Sequence, residues 1–190
     1  MRKLLLVIVF FCFFSVLLFG KDKFFVSAGA AVALPSDSRY REFYGSVQFS
    51  PELKAGYNFF ESFYVWLGYS FFSASYNVPL LFTAAIAKQH FLALGAGWET
   101  RRGRRLQSDF FAALVLAGFK EQALGETVSD SVVGFELGTG LRYFIKKKVF
   151  IGVAFSYSEA RAALAETEIS LAGRRLLGGL RLTANLGIRF

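Results

Sequence analysis

From residue 24 onward the apolar side chains of this 190-residue chain keep to alternate positions, segment after segment. A period of two belongs to a β-strand whose two faces meet different surroundings, and it is not the 3.6-residue period of an amphipathic helix. In the first segment the even positions Phe24, Val26, Ala28, Ala30, Val32 and Leu34 oppose Ser27, Gly29, Ala31 and Ala33. In the second, Val47, Phe49, Pro51, Leu53, Ala55, Tyr57 and Phe59 oppose Gln48, Ser50, Glu52, Lys54, Gly56 and Asn58. The third sets Phe63, Val65, Leu67, Tyr69 and Phe71 against Tyr64, Trp66, Gly68 and Ser70, and the fourth sets Leu92, Leu94, Ala96 and Trp98 against Ala93, Gly95 and Gly97. Residues 108–121 are apolar on both parities, so that only Asp109 and Glu121 assign the odd positions of this fifth segment to the polar face. The sixth restores the contrast, with Val133, Phe135, Leu137, Leu141 and Tyr143 opposite Gly134, Glu136, Gly138, Gly140 and Arg142. The seventh continues it through Val149, Ile151, Val153, Phe155 and Tyr157, and the eighth alternates up to Leu186, Ile188 and Phe190.

The connections alternate too. Short turns fall at 58–62 and 144–148 and a basic turn at 99–107, whereas longer polar segments cover 35–46, 75–85, 122–131 and 159–171. Consecutive strands joined by short connections pair antiparallel, which gives an up-and-down sheet of eight.

Alternation by itself does not say which face is outside. The polar face carries Gly56, Gly68, Gly95, Gly97, Gly134, Gly138, Gly140, Gly152, Gly179 and Gly187. On a water-exposed face, strand glycines forfeit packing and cost entropy for no gain, whereas a crowded interior needs small residues. The apolar face therefore points outward, to lipid. Lipid offers no partners to backbone polar groups, so the first and last strands must pair and close the sheet. Phe24, Tyr57, Phe59, Phe63, Trp98, Phe110, Tyr143 and Phe190 gather near the short-turn end of the apolar face, as an interfacial aromatic girdle requires. The expected fold is all-β, an eight-stranded antiparallel up-and-down transmembrane β-barrel.

The first twenty residues differ from the rest. Arg2 and Lys3 precede an almost wholly apolar run from residue 4 to 19, after which Lys21, Asp22 and Lys23 follow. This is the layout of a secretory leader, and the run is shorter than the roughly 20 residues of a membrane-spanning helix. We expect residues 1–20 to form a cleaved signal peptide and residues 21–190 the barrel. Cys12 is the only cysteine and lies in the leader, which leaves no disulfide to the mature chain. The formal charge of +8 falls to +6 when Arg2 and Lys3, one charge each, leave with the leader. The basic clusters, 100–105 and 146–148, are short and sit between apolar strands, so they read as solvated turns and not as a nucleic-acid surface.

The run Leu182-Thr183-Ala184-Asn185-Leu186-Gly187-Ile188-Arg189-Phe190 resembles the terminal strand of bacterial outer-membrane proteins, with its final Phe and alternating apolar residues. Leu53-Lys54-Ala55-Gly56-Tyr57 and Leu92-Ala93-Leu94-Gly95-Ala96-Gly97-Trp98 are similar to strands of small OmpA-, OmpX- and OmpW-like barrels. The resemblance implies a bacterial outer-membrane location, with both termini and the short turns in the periplasm. It also implies outer-membrane lipid, periplasmic chaperones and the barrel-assembly machinery as partners, with Leu186, Ile188 and Phe190 as the assembly signal. It carries no particular activity, because one barrel scaffold hosts anchors, adhesins, conduits and enzymes.

The polar face also holds Glu52, Lys54, Asp109, Glu136, Arg142, Arg175, Arg181 and Arg189. An eight-stranded barrel is just wide enough for side chains to fill, and charges shielded from water need partners, so these residues are expected to form a lumenal polar network and not a pore. His90 is the sole histidine, and Gln89-His90-Phe91-Leu92 carries no nucleophile motif. No metal-ligand spacing, phosphate-cradling glycine loop or nucleic-acid motif is present, so no catalytic residue, metal or cofactor is expected. Residues 36–44 mix charge with tyrosine, as either a recognition surface or a solvated loop. The expected function is a non-enzymatic barrel with a structural or surface-interaction role. The alternatives are an OmpW-like conduit for small apolar molecules, suggested by Trp66, Phe72 and Phe111 turned inward, a lipid-modifying enzyme, and a soluble lipocalin-like binder.

Overall fold

A computed structural model describes residues 23–60, 62–78, 83–102, 105–123, 126–164 and 173–190. The expected leader lies outside these residues. The elements are β1 (Phe24–Pro35), α1 (Ser38–Tyr44), β2 (Gln48–Asn58), β3 (Phe63–Val78), β4 (Thr83–Arg102), β5 (Leu106–Ala123), β6 (Glu126–Phe144), β7 (Val149–Leu164) and β8 (Gly173–Arg189). The strands form one closed antiparallel barrel in chain order, β8 returning to β1. Alternate residues with unlike partners dictate this closure: once the apolar face is outside, any open edge would leave a row of unpaired N–H and C=O groups.

The seam is completed at its turn end by two hydrogen bonds between the first residue of β1 and the residue after β8, Phe24 N to Phe190 O at 3.3 Å and Phe190 N to Phe24 O at 2.7 Å. At the opposite end β8 bends where Gly178 and Gly179 take φ of +104° and +143°. A Cβ on Gly179 would collide with the carbonyl oxygen of Leu34, so a side chain is excluded there on both counts.

Side chains follow the parity of the sequence. Phe49, Leu94, Leu114 and Val133 stand outward, 63–74% exposed, in a belt that continues around the barrel. That much contiguous exposed apolar surface is foreign to a water-soluble monomer. The ambiguous fifth strand resolves as Asp109 and Glu121 suggest: Gln107, Asp109, Phe111, Ala113, Val115, Ala117, Phe119 and Glu121 all point inward. The girdle residues cluster as expected, with Phe63 against Trp98 at 4.6 Å between ring centroids, Tyr57 against Phe59 at 5.0 Å and Phe24 against Phe190 at 6.2 Å.

Two expectations are corrected. Two of the four segments read as long loops, 75–85 and 122–131, are largely strand, and a third, 159–171, begins as strand: β3 runs to Val78, β4 begins at Thr83, β5 reaches Ala123, β6 begins at Glu126 and β7 reaches Leu164, whereas 35–46 holds α1. Polar residues there do not break the ladder, because strands that leave an apolar belt need no apolar outer face. The basic turn at 99–107 is likewise shorter, since β4 runs to Arg102 and β5 resumes at Leu106.

Candidate functional site

The lumen is the site to which the strands deliver most of their polar chemistry, and it is layered. Nearest the turn end, Glu99 on β4 is 1% exposed and gathers three partners. Asn58 Nδ2 donates to it at 2.7 Å, Arg142 Nη1 at 3.3 Å and Arg189 Nη2 at 3.2 Å. Arg189 Nη2 also donates to Gln107 Oε1 at 3.1 Å. The other arm of Arg142 reaches Asp109 Oδ2 at 2.5 Å, and the Tyr64 hydroxyl donates to the same oxygen at 2.9 Å. The guanidinium of Arg142 lies 4.8 Å from the Phe25 ring centroid and 5.1 Å from that of Tyr64, so its faces as well as its edges are occupied.

Glycine makes room for this layer. A Cβ on Gly97 would strike the Tyr64 ring, one on Gly56 the Phe25 ring and one on Gly187 the Phe150 ring. The aromatic rings therefore occupy the space that a glycine leaves above the strand backbone, beside the charged heads.

Farther in, Lys54 Nζ sits 3.8 Å from the Trp66 ring centroid and 4.2 Å from that of Phe111, and these two rings meet edge to face at 5.6 Å. Arg181 pairs with Glu136 at 2.5 Å and donates to Ser70 Oγ at 2.9 Å, while Thr183 Oγ1 donates to Glu52 Oε2 at 3.3 Å. A cavity of about 30 Å³ remains among Lys54, Trp66, Glu136, Arg142, Arg181 and Asn185, room for a few waters at ~10–15 Å³ each. The loop-end half is more apolar, with Phe72, Phe91, Val115 and Phe119 buried among alanines and the buried Gln89 paired with Phe72 and Phe119 across β3 and β5.

α1 closes this half. Asp37 caps its first turn through Oδ1 to Tyr40 N at 3.0 Å and accepts Leu176 N from β8 on Oδ2 at 3.3 Å. Tyr40 and Tyr44, one helical turn apart, share a face and pack with ring centroids 4.8 Å apart and planes tilted by 32°, both rings buried. The Tyr44 hydroxyl donates to Glu121 Oε1 at 2.5 Å, and Gln48 Nε2 donates to Tyr44 O at 2.6 Å. The segment expected to be either recognition surface or solvated loop thus turns its two buried tyrosines into the barrel mouth.

Of the eight residues expected in the lumen, seven lie on the inner face: Glu52, Lys54, Asp109, Glu136, Arg142, Arg181 and Arg189. Arg175 holds a β8 position opposite Ala162, and its side chain lies outside the described residues. Trp66, Phe72 and Phe111 also point inward. Sequence reasoning missed Glu99 and Gln107 by placing them in the turn, although the odd parity of Ala93, Gly95, Gly97 and Asp109 extends to both. Asn58 and Tyr64 were read only as members of a polar face. Leu186, Ile188 and Phe190 face outward, 45–56% exposed. His90 is on the outer wall, where Nδ1 shares a 2.7 Å hydrogen bond with the Tyr69 hydroxyl. Among the described residues no group of three metal-ligating side chains converges.

Neither a protein-family model nor a curated protein matches the sequence. Solved structures do match the fold. Neisserial surface protein A is 20% identical with a TM-score of 0.69, over 88% of this chain and 97% of that one. OprG from Pseudomonas aeruginosa is 15% identical with a TM-score of 0.67, over 90% and 96%. The fold is that of the small outer-membrane barrels. Ail of Yersinia pestis, solved in complex with the heparin analogue sucrose octasulfate, shares it at 14% identity and a TM-score of 0.62, over 90% of this chain and all of that one.

Proposed function

We propose that this chain is a bacterial outer-membrane protein, exported by a leader that is then cleaved, and that it is a closed, non-enzymatic barrel acting through its wall and outer rim and not through passage across the membrane. One observation carries the reading: among the described residues, layers of bonded side chains, from Glu99 with its two arginines to Tyr44 with Glu121, occupy the bore, and the cavity among Lys54, Trp66 and Arg181 is only about 30 Å³. An eight-stranded barrel is narrow enough for side chains alone to fill it, and paired charges of this kind resist displacement by a hydrated ion. The outer-membrane placement is supported by the apolar belt, the girdle and the fold shared with proteins of that membrane. Lipid, the periplasmic chaperones and the barrel-assembly machinery are then its partners, with Leu186, Ile188 and Phe190 as the signal that the machinery reads.

The test is a planar-bilayer recording of the refolded, leaderless protein. Silence is expected from the native barrel, and steady single-channel steps would overturn the closed-bore reading. Fractionation of cells that express the full chain tests the location, with recovery in the outer membrane expected and recovery in the soluble periplasm fatal to it.

A second reading, a conduit for small apolar molecules, is favoured by the loop-end half of the lumen, where the inward side chains Phe72, Phe91, Val115 and Phe119 belong to one buried apolar cluster. Uptake of an apolar fluorophore by proteoliposomes separates the two readings.

A further inference from the structure

Where β3, β4, β5 and β6 leave the apolar belt toward the loop end, four exposed outward residues stand side by side. Ser73 pairs with Lys88, Lys88 with Lys120, and Lys120 with Ser129. Like charges placed directly opposite on one face of a sheet repel and destabilise it unless an anion lies between them. Among the described residues neither lysine has a carboxylate within ion-pair distance. The acidic residues nearest in sequence turn away: Glu121 is buried in the lumen with Tyr44, and Asp130 sits on the inner-facing parity of β6.

Two residues nearer the belt the same row reads Phe71, His90, Gly118 and Ser131. Gly118 leaves a notch, because a Cβ there would meet nothing closer than Ser131 Oγ at 3.7 Å and the His90 carbonyl at 4.0 Å. His90, stacked on Phe71 at 6.0 Å and bonded to Tyr69, forms one rigid wall of it. Below lie Leu92, Leu116 and Val133, 43–70% exposed.

Height fixes what faces this notch. Lys88 stands ten residues along β4 from Trp98, about 34 Å of strand at ~3.4 Å per residue. At a tilt of roughly 40–45° this spans about 25 Å along the axis, the height of the apolar band of an outer-membrane barrel. With Phe63, Trp98 and Phe110 at one headgroup level, the lysine pair stands at the other.

The geometry points to a binding site for a phosphorylated lipid of the outer leaflet, its phosphate held between Lys88 and Lys120 above the Gly118 notch and its acyl chains laid against Leu92, Leu116 and Val133. The inference rests on the outer-membrane reading. Charge complementarity selects the phosphate, and the apolar wall directly beneath selects an amphiphile over a free ion.

The mature barrel in phosphatidylcholine nanodiscs is titrated with diphosphoryl lipid A, with its dephosphorylated counterpart and with inorganic phosphate, bound ligand being counted by native mass spectrometry. Lys88→Gln combined with Lys120→Gln is expected to weaken diphosphoryl lipid A binding about thirtyfold, the effect of two surface cations near a lipid anion. Gly118→Leu, which fills the notch and keeps both charges, is expected to weaken it as well. Undiminished binding by the membrane-inserted double variant overturns the site alone, as does equal affinity for the dephosphorylated lipid or for inorganic phosphate. Recovery of the wild-type protein as a soluble species overturns the outer-membrane reading and the site with it.

Discussion

Glu99 is the carboxylate on which two lumenal arginines converge. It is nearly inaccessible to water and accepts from an amide and two guanidinium groups. Removing one member of a buried ionic cluster leaves the others desolvated without compensation, which typically costs about 3–5 kcal/mol. Glu99→Ala should therefore lower the barrel's stability by that order, read as a shift of the urea midpoint at which heat-modifiable gel migration is lost. Glu99→Gln keeps an acceptor for Asn58 and should cost less. The glycines under the rings are the complementary constraint. Gly97→Val forces the Tyr64 ring away from Asp109, and overpacking of this kind costs about 1–3 kcal/mol by the same measurement. Parity exposed most of these residues in the sequence. It could not rank them, because which carboxylate receives two arginines depends on how tilted strands align across the bore, and no local pattern encodes that alignment.

At the scale of elements, α1 is a seven-residue helix that would not persist alone and is held by contacts at both ends. Tyr44→Phe removes its hydrogen bond to Glu121, and Asp37→Ala removes both the helix cap and the link to β8, a cap alone being worth about 1 kcal/mol. The combined variant should loosen α1 over the apolar cluster of the lumen, so that a cysteine placed at Val115 reacts faster with a maleimide than it does beneath native α1, while global stability changes little. The helix was hidden in the sequence. Its tyrosines at positions 40 and 44 carry the spacing of a helical face, yet with charges at 37, 39, 41 and 42 the segment reads equally well as a solvated loop. The strands, by contrast, were legible wherever one face was apolar and faded where they rise past the belt, since period two vanishes once both faces can be polar.

For the molecule as a whole, closure and recognition are separate matters that share the last strand. Removal of Phe190 deletes an outward ring of the girdle and both hydrogen bonds to Phe24, and it takes away the residue proposed as the assembly signal. The shortened chain should refold in detergent with modest loss of stability but accumulate in the periplasm of expressing cells, measured by fractionation. Barrel, strand number and chain order followed from the sequence because a single repeated constraint, unlike faces with no tolerable edge, leaves few topologies open.

The hydrogen bonds that join Phe24 to Phe190 bring the two extremities of the barrel within a peptide's reach of one another, so that in three dimensions the path from β1 to β8 is already close to a circle. A circular permutant, joined there by a short glycine linker and reopened between β6 and β7, keeps every pairing of the wall. It should reach the native spectrum in micelles and yet be stranded in cells, since the strand displayed at its new terminus is a different one.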